Sequence, residues 1–468
     1  MLEQSALRQL VLAIALGAAG SLAHAETLDF QQCVQRALTQ NPDIEISQAQ
    51  IEQAQAAVRQ AEANHLPKVN LSMTGTYTND ALNAFGLKLG QRNATFGDFG
   101  VSSFFEAQAN NLPADQILKI APDDLNHPGG TGNVNSRIEV LVPVYNGGMV
   151  SSYVRQARAY TKAAQEGDVH ARQQLVKQIL MAYQGVHAAR AYVKVGEQAQ
   201  AASEEYVRIT ERMSQQGMAV RSDYLSAKVH LEDVKVQLAQ ARNAEAAALD
   251  QLHLLLGMPL AEPLDVGPSV MPMPMQGELP ELLAQAKANH PALKAMRNQL
   301  DGVSANVDVA RAGLLPQFNV MLRQDWNDRD LGFDSSSYTV AGVLSWNAFD
   351  AGGTSAAVDR AQAARIEMAA RLRQAEDGIQ FQLKDAARKT KEADERVAAR
   401  ELALEQAEEA QRLVKKRYEN GLATMVELLA AQAQQDKARA DLVSARYEQI
   451  VQRAEFKRAV GMLSAEQL

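Results

Sequence analysis

Seven histidines follow the first 25 residues, and none has the neighbours that chemistry would ask of it. His65, His127, His170, His187, His230, His253 and His290 are scattered. No metal-ligand spacing links them; even His170 and His187 stand several turns apart if they share a helix. Cys33 is the only cysteine, so the chain builds neither an intramolecular disulfide nor a thiolate cluster. No Gly-rich phosphate loop follows a strand-like stretch, and no G-x-G-x-x-G or Walker pattern occurs. Carboxylates are abundant, but chiefly in Glu/Gln/Lys patterns of solvated or interhelical faces. Met271-Pro-Met-Pro-Met275 gathers three thioethers, which suit a soft ion such as Cu(I). Its place in a proline-rich linker makes apolar packing the plainer account. The expectation is a chain with no catalytic residue, no cofactor and no metal: not an enzyme, and dependent on a partner for any energy it uses.

The elements around these side chains are more informative. The chain has 468 residues, 46% hydrophobic but only 5% aromatic, with a formal net charge of −8. Alanine supplies much of the apolar content. It favours helix and lets helices approach closely, yet buries little area per residue. Thin-walled helical packing follows, rather than one thick core. The negative balance offers nothing to a polyanion and argues against a nucleic-acid partner. Near the start, Arg8 precedes an apolar run from Leu10 to Ala19, and then Ala23-His24-Ala25. That is the pattern of a secretory signal peptide over 1–25, cut after Ala25; the run is short for a membrane span. Asp29-Phe30-Gln31-Gln32 before Cys33 lack the small-residue context of a lipidation site.

The chain is written twice. Asn41-Pro42 returns as His290-Pro291 and Leu66-Pro67 as Leu315-Pro316, each 249 residues on. Gly147-Gly148 is echoed by Gly352-Gly353, Gly217 by Gly421 and Gly257 by Gly461, now 204 or 205 residues on. The first copy therefore carries about 44 extra residues between its two strands, within 80–132. Repeat 1 spans 26–257 and repeat 2 spans 281–463, with a linker at 258–280 whose prolines forbid a continuous helix, and a tail at 464–468. Each repeat reads as a helix, two strands, a very long helix (149–216; 354–420) and a return helix (219–256; 424–461). Neither long run contains proline, and each would reach about 100 Å if fully helical.

Four short stretches break the helical pattern by strict alternation: 68–78 (KVNLSMTGTYT), 134–144, 317–326 and 337–347. Their length suits a tilted strand crossing a bilayer. In hydrocarbon a β structure must close on itself, and four strands are too few when the smallest such barrels have eight. Copies of the chain must then share a barrel; eight strands from a dimer or twelve from a trimer both satisfy the periodicity. The competing expectation is a small soluble sheet on a structural periplasmic coiled coil.

The order of these features, together with Pro143-Val-Tyr-Asn-Gly-Gly148, Trp346-Asn-Ala-Phe-Asp-Ala-Gly-Gly353, RMSQQGMAVRSDYL at 212–225 and RYENGLATMVELLAAQ at 417–432, resembles the TolC family of outer-membrane efflux and secretion channels. The resemblance covers Thr27 to Leu463. It implies a mostly α-helical fold with a small β part: a homotrimer in outer-membrane lipid, with four strands per chain completing a 12-stranded barrel and long helices forming a periplasmic α-barrel. Such a channel is the passive exit duct of a tripartite efflux system or of type I protein secretion. Its partners are a periplasmic membrane-fusion (adaptor) protein and an inner-membrane pump of RND, ABC or MFS type.

The resemblance also assigns residues. The helix–turn–helix tips, Gly217-Met218-Ala219 and Gly421-Leu422-Ala423, would dock the adaptor. Ser222, Asp223, Tyr418 and Glu427 match positions of the gate that closes the tunnel. Two positions depart: Ala423 replaces the gate's arginine and Ala430 an aspartate, leaving Arg221 or Arg417 as substitutes. Copies of Asp223 and Glu427 around one axis would make the entrance prefer cations. Residues 80–132 would face outside the cell, folding over the barrel mouth or forming small helices at 103–109 and 113–120.

Overall fold

A computed structural model describes residues 26–464; the signal peptide read at 1–25 and the tail beyond Ser464 lie outside them. In chain order the elements are β1 (Glu26–Leu28), α1 (Phe30–Gln40), α2 (Pro42–Ala63), β2 (Lys68–Thr78), α3 (Ala81–Gly90), a short helical turn (Gly97–Phe99), α4 (Val101–Ala109) and two further short turns of helix (Ala114–Ile117 and Asp123–Asn126), then β3 (Thr131–Tyr145), α5 (Met149–Gln215) and α6 (Arg221–Leu256). After these come β4 (Leu264–Val266), α7 (Leu279–Asn289), α8 (Pro291–Ala312), β5 (Gln317–Asp328), β6 (Ser336–Ser345), α9 (Gly353–Glu419) and α10 (Met425–Val460). The duplication is visible in helix lengths. α1 and α7 have 11 residues each, α2 and α8 have 22, α5 and α9 have 67, and α6 and α10 have 36. α5 runs through Gly167, Gly185 and Gly196 without a break; alone, a helical glycine costs only about 1 kcal/mol relative to alanine. Among the described residues no helix is long and apolar enough to cross a membrane.

The chain forms two compact units, and each draws on both repeats. One comprises the residues up to Gln53, Thr161–Gln299 and the residues from Ala369 onward; the other comprises Ala54–Tyr160 and Leu300–Met368. In the first unit, α1 presents Phe30, Cys33, Val34 and Ala37 to Leu175, Ile179, Tyr183 and Val186 of α5 and to Leu252 and Leu256 of α6. Phe30 meets Tyr183 edge to face with ring centroids 5.7 Å apart, a geometry aromatic quadrupoles favour. α7 repeats the arrangement with Leu282 and Ala286 against Leu383 and Val460. Asp29 opens α1 with a capping box: its carboxylate accepts from Gln32 N, and Gln32 returns the bond to Asp29 N. The linker holds a strand that proline counting does not reveal, since β4 pairs in parallel with β1.

The second unit is built on an antiparallel sheet of order β2-β3-β5-β6. Residues opposite one another share a face, so the register sorts the side chains into two sets. One face carries Val69, Leu71, Met73 and Tyr77, then Ile138, Val140 and Val142, then Phe318, Val320, Leu322 and Trp326, then Tyr338, Val340 and Leu344. The other carries Asn70, Ser72 and Thr74, then Asn135, Arg137 and Glu139, then Asn319, Arg323, Asp325 and Asn327, then Ser337 and Thr339. The apolar face is unprotected: Leu71 is 75% exposed and Tyr338 82%. Aromatic side chains border it at both ends, with Tyr77, Trp326 and Tyr338 at one and Tyr145, Phe318 and Trp346 at the other. From Phe318 to Trp326 is about 27 Å along the strand. An apolar band between aromatic girdles, backed by a polar face, is the pattern of an outer-membrane barrel wall.

Candidate functional site

The polar face holds its charges by pairing them. Asp325, only 6% exposed, accepts from Arg137 Nε at 2.7 Å and from Asn135 Nδ2 at 3.2 Å, and its second oxygen lies 2.8 Å from Arg323 Nε. Asn135 and Asn133 both donate to Asn327. Such a network suits a wet interior and not a lipid contact, because in hydrocarbon each charged group would be costly. β2 and β6 sit at the edges of the sheet, each with one side of its backbone unpaired among the described residues. An apolar face, a polar face and two open edges define an incomplete barrel wall.

At the helical tips, each long helix ends in a left-handed glycine, Gly217 at φ +75° and Gly421 at φ +70°. There the missing Cβ lets the chain reverse. Met218 N donates to Met213 O at 2.8 Å, and Leu422 N to Arg417 O at 2.8 Å. Met218 and Leu422 project into solvent, while Ala219 and Ala423 are half-buried. The second tip is the better capped. Thr424 accepts from Glu427 N and Glu427 from Thr424 N at 2.7 Å, and this bond holds the Glu427 carboxyl below its usual range. Arg417 donates to Leu422 O at 3.2 Å and steadies the turn. At the first tip the cap is Val220, with no side-chain bond, and α6 begins at Arg221. Ser222 and Asp223 thus lie inside the first helical turn and leave the cap position to Val220, because the extended residue precedes Arg221. Asp223 still favours the positive helix end.

Of the four gate positions, two come together. Tyr418 is buried among Tyr206, Ile209, Ala227, Met425 and Leu428. Its hydroxyl finds no hydrogen-bond partner, and burial, with the charge of Asp223 close by, pushes the phenol up. Ser222 is exposed, and Glu427 is engaged in its own cap. Sequence reading missed a polar layer just above them. Tyr206 Oη donates to Gln432 Oε1 at 2.6 Å, Gln411 Nε2 bonds both, and Gln432 Nε2 donates to Asp436 at 3.0 Å. Burial raises the Asp436 carboxyl. The only signal was a glutamine and a tyrosine at seam positions of helices otherwise lined with alanine and leucine.

The family model "Outer membrane efflux protein" matches residues 33–258 and 282–462. Protein CyaE of Bordetella pertussis is 29% identical over 181 residues, which is 38% of either chain. Alkaline protease secretion protein AprF of Pseudomonas aeruginosa is 26% identical over 152 residues, 32% of this chain and 31% of that one. The match thus spans well under half of these two relatives. Outer membrane efflux protein BepC of Brucella suis biovar 1 is 23% identical over 348 residues, 72% of this chain and 74% of that one. The crystal structure of the transmembrane channel CusC superposes with a TM-score of 0.76 at 17% identity, over 94% of this chain and 95% of that one. With the family model covering both repeats and the fold shared nearly end to end, the chain belongs to the outer membrane efflux protein family.

Proposed function

We propose that the chain is one subunit of a homotrimeric exit duct: three open sheets close a twelve-stranded barrel in the outer membrane, and the long helices line a passage beneath it. The observation that carries this reading is the two-faced sheet with unpaired edges, since an open edge in lipid leaves backbone groups unsatisfied. The duct is passive and not an enzyme. An adaptor docks on the tips at Gly217-Met218-Ala219 and Gly421-Leu422-Ala423, where Met218 and Leu422 offer exposed apolar anchors, and an inner-membrane pump supplies energy and cargo. Asp223 and Glu427, repeated around the axis, give the entrance a cation preference. A structural coiled coil does not account for the apolar face between aromatic bands. Both classes of cargo have support: the name of BepC speaks for efflux, that of AprF for protein secretion. Purified protein in planar bilayers tests the duct directly. Discrete, cation-selective conductance steps are expected; absence of any conductance, even with the tip variants Tyr418→Phe and Asp223→Ala, contradicts it. Photo-crosslinkers at positions 218 and 422 then identify the adaptor and, through it, the pump.

A further inference from the structure

Residues 79–130, which join β2 to β3, fold into a small module. Ala84 and Ala107 are buried, Phe85 meets Phe99 edge to face at 5.0 Å, and Lys88 pairs with Asp98 at 2.5 Å. The module is fastened to the sheet through Gly90–Arg92. Gln91, the C-cap of α3, is buried; its Nε2 donates to Gly132 O at 2.7 Å and to Asn133 Oδ1 at 3.0 Å, and its carbonyl accepts from Ser335 Oγ at 2.7 Å. Asn133 passes the contact on to Asn327 at 3.1 Å, and Arg92 reaches Ser336 O. A Cβ placed on Gly90 would stand 3.7 Å from Asn327 Cβ.

The side of the sheet decides what this means. Asn133 and Asn327 belong to the polar row of Asn135, Arg137 and Asp325, opposite the row of Ile138, Leu322 and Trp326. The seat also lies at the strand ends away from the junctions with the long helices. The loop's hinge, Gly130, passes beside Tyr77 of the apolar row, but its buried anchor, Gln91, bonds to Asn133 on the side that becomes the lumen. Resting on the shared-barrel reading above, we propose that residues 79–130 fold inward over the outer mouth of the barrel and set the size limit of what leaves it.

Two experiments test this in the assembled protein. Disulfides form between residues whose Cβ atoms are about 3.5–4.5 Å apart, so Gly90→Cys/Asn327→Cys is expected to close an intramolecular bond in outer-membrane material, detected by peptide mapping. A reduced pair under oxidising conditions overturns the inward seat. The second introduces Thr74→Cys on the polar row of β2; native Cys33 is buried and leaves little background. A maleimide on a polyethylene glycol of about 5 kDa, added from outside, should label position 74 about tenfold more slowly in the intact chain than with 81–129 replaced by a Gly-Ser linker, whereas a small maleimide labels both alike. The double variant Gln91→Ala/Arg92→Ala keeps every residue of the module and should also accelerate labelling, should the deletion fail to assemble. Equal rates in all variants overturn the size limit. Failure of the wild-type chain to form any membrane pore would count against the barrel itself, while open pores with an unshielded position 74 count against the cap alone.

Discussion

Asn41 and His290 occupy the same place in the two repeats, each closing an 11-residue helix just before a proline. Asn41 Oδ1 accepts from Asp43 N at 2.8 Å, and its amide donates to Leu255 O at 2.9 Å. His290 copies the first bond with Nδ1, which accepts from Ala292 N at 3.3 Å, and only a neutral imidazole can accept. Burial, the His170 ring 6.1 Å away and Arg458 bring its pKa down to about 4. His170, with its own Nδ1 buried and without a partner, is lowered by burial and Arg458 as well. A histidine lowered on folding contributes stability above its unfolded value near 6.5, and loses it as pH falls toward the folded value. Between pH 7 and 5, His290 alone should cost on the order of 1–2 kcal/mol. Thermal unfolding of His290→Asn, which keeps the cap, is therefore expected to fall less steeply over that range than the wild type; parallel curves would contradict the assignment. At the tips, Tyr418→Phe removes a buried hydroxyl that has no partner, and stability should change by less than about 1 kcal/mol. Single-channel conductance should rise in Tyr418→Phe and in Asp223→Ala if their proximity helps hold the gate shut. No change in either removes both from the gate.

Among the elements, the turns of the two repeats offer matched glycines in different surroundings. Gly217 and Gly421 have left-handed backbones with open space where a Cβ would go. Gly257 and Gly461 are left-handed too, but there a Cβ would lie 2.9 Å from Gln40 O and 3.0 Å from His290 Cα. The first pair therefore faces only conformational strain on mutation to alanine, about 1 kcal/mol. The second must also move backbone, and each should lose at least about 2 kcal/mol. Urea unfolding of the four alanine variants checks the ranking, and equal losses would deny the close approach of the return helices to α1 and α7. These elements also show what the sequence makes legible. Strands stand out because ten-residue alternation is foreign to the alanine-, glutamine- and glutamate-rich helices beside them. Long helices stand out because no proline interrupts them. The mostly helical class with four strands follows from those two local signals and the duplication, while the shared barrel is what the family resemblance adds. The seat of Gln91, the pairing of β1 with β4 and the layer of Tyr206, Gln411 and Gln432 do not, since each joins residues more than 40 positions apart, the first and last through side chains that also suit a solvated surface and the second through backbone alone. Asp223 shows the same limit: a polar residue near a helix start reads as a cap, but here the cap is Val220, three positions earlier.

For the molecule as a whole, the sheet is the decisive part. Its apolar row lies between two aromatic bands, its polar row pairs two arginines with one aspartate, and its edge strands are open. No arrangement of a single chain satisfies those edges in hydrocarbon, so the count of chains per pore is the quantity on which the account turns. Native mass spectrometry of the detergent-solubilised outer-membrane protein measures that count directly. Three chains per particle, and so twelve strands, is the predicted result. A particle of one chain in that membrane fraction would contradict it.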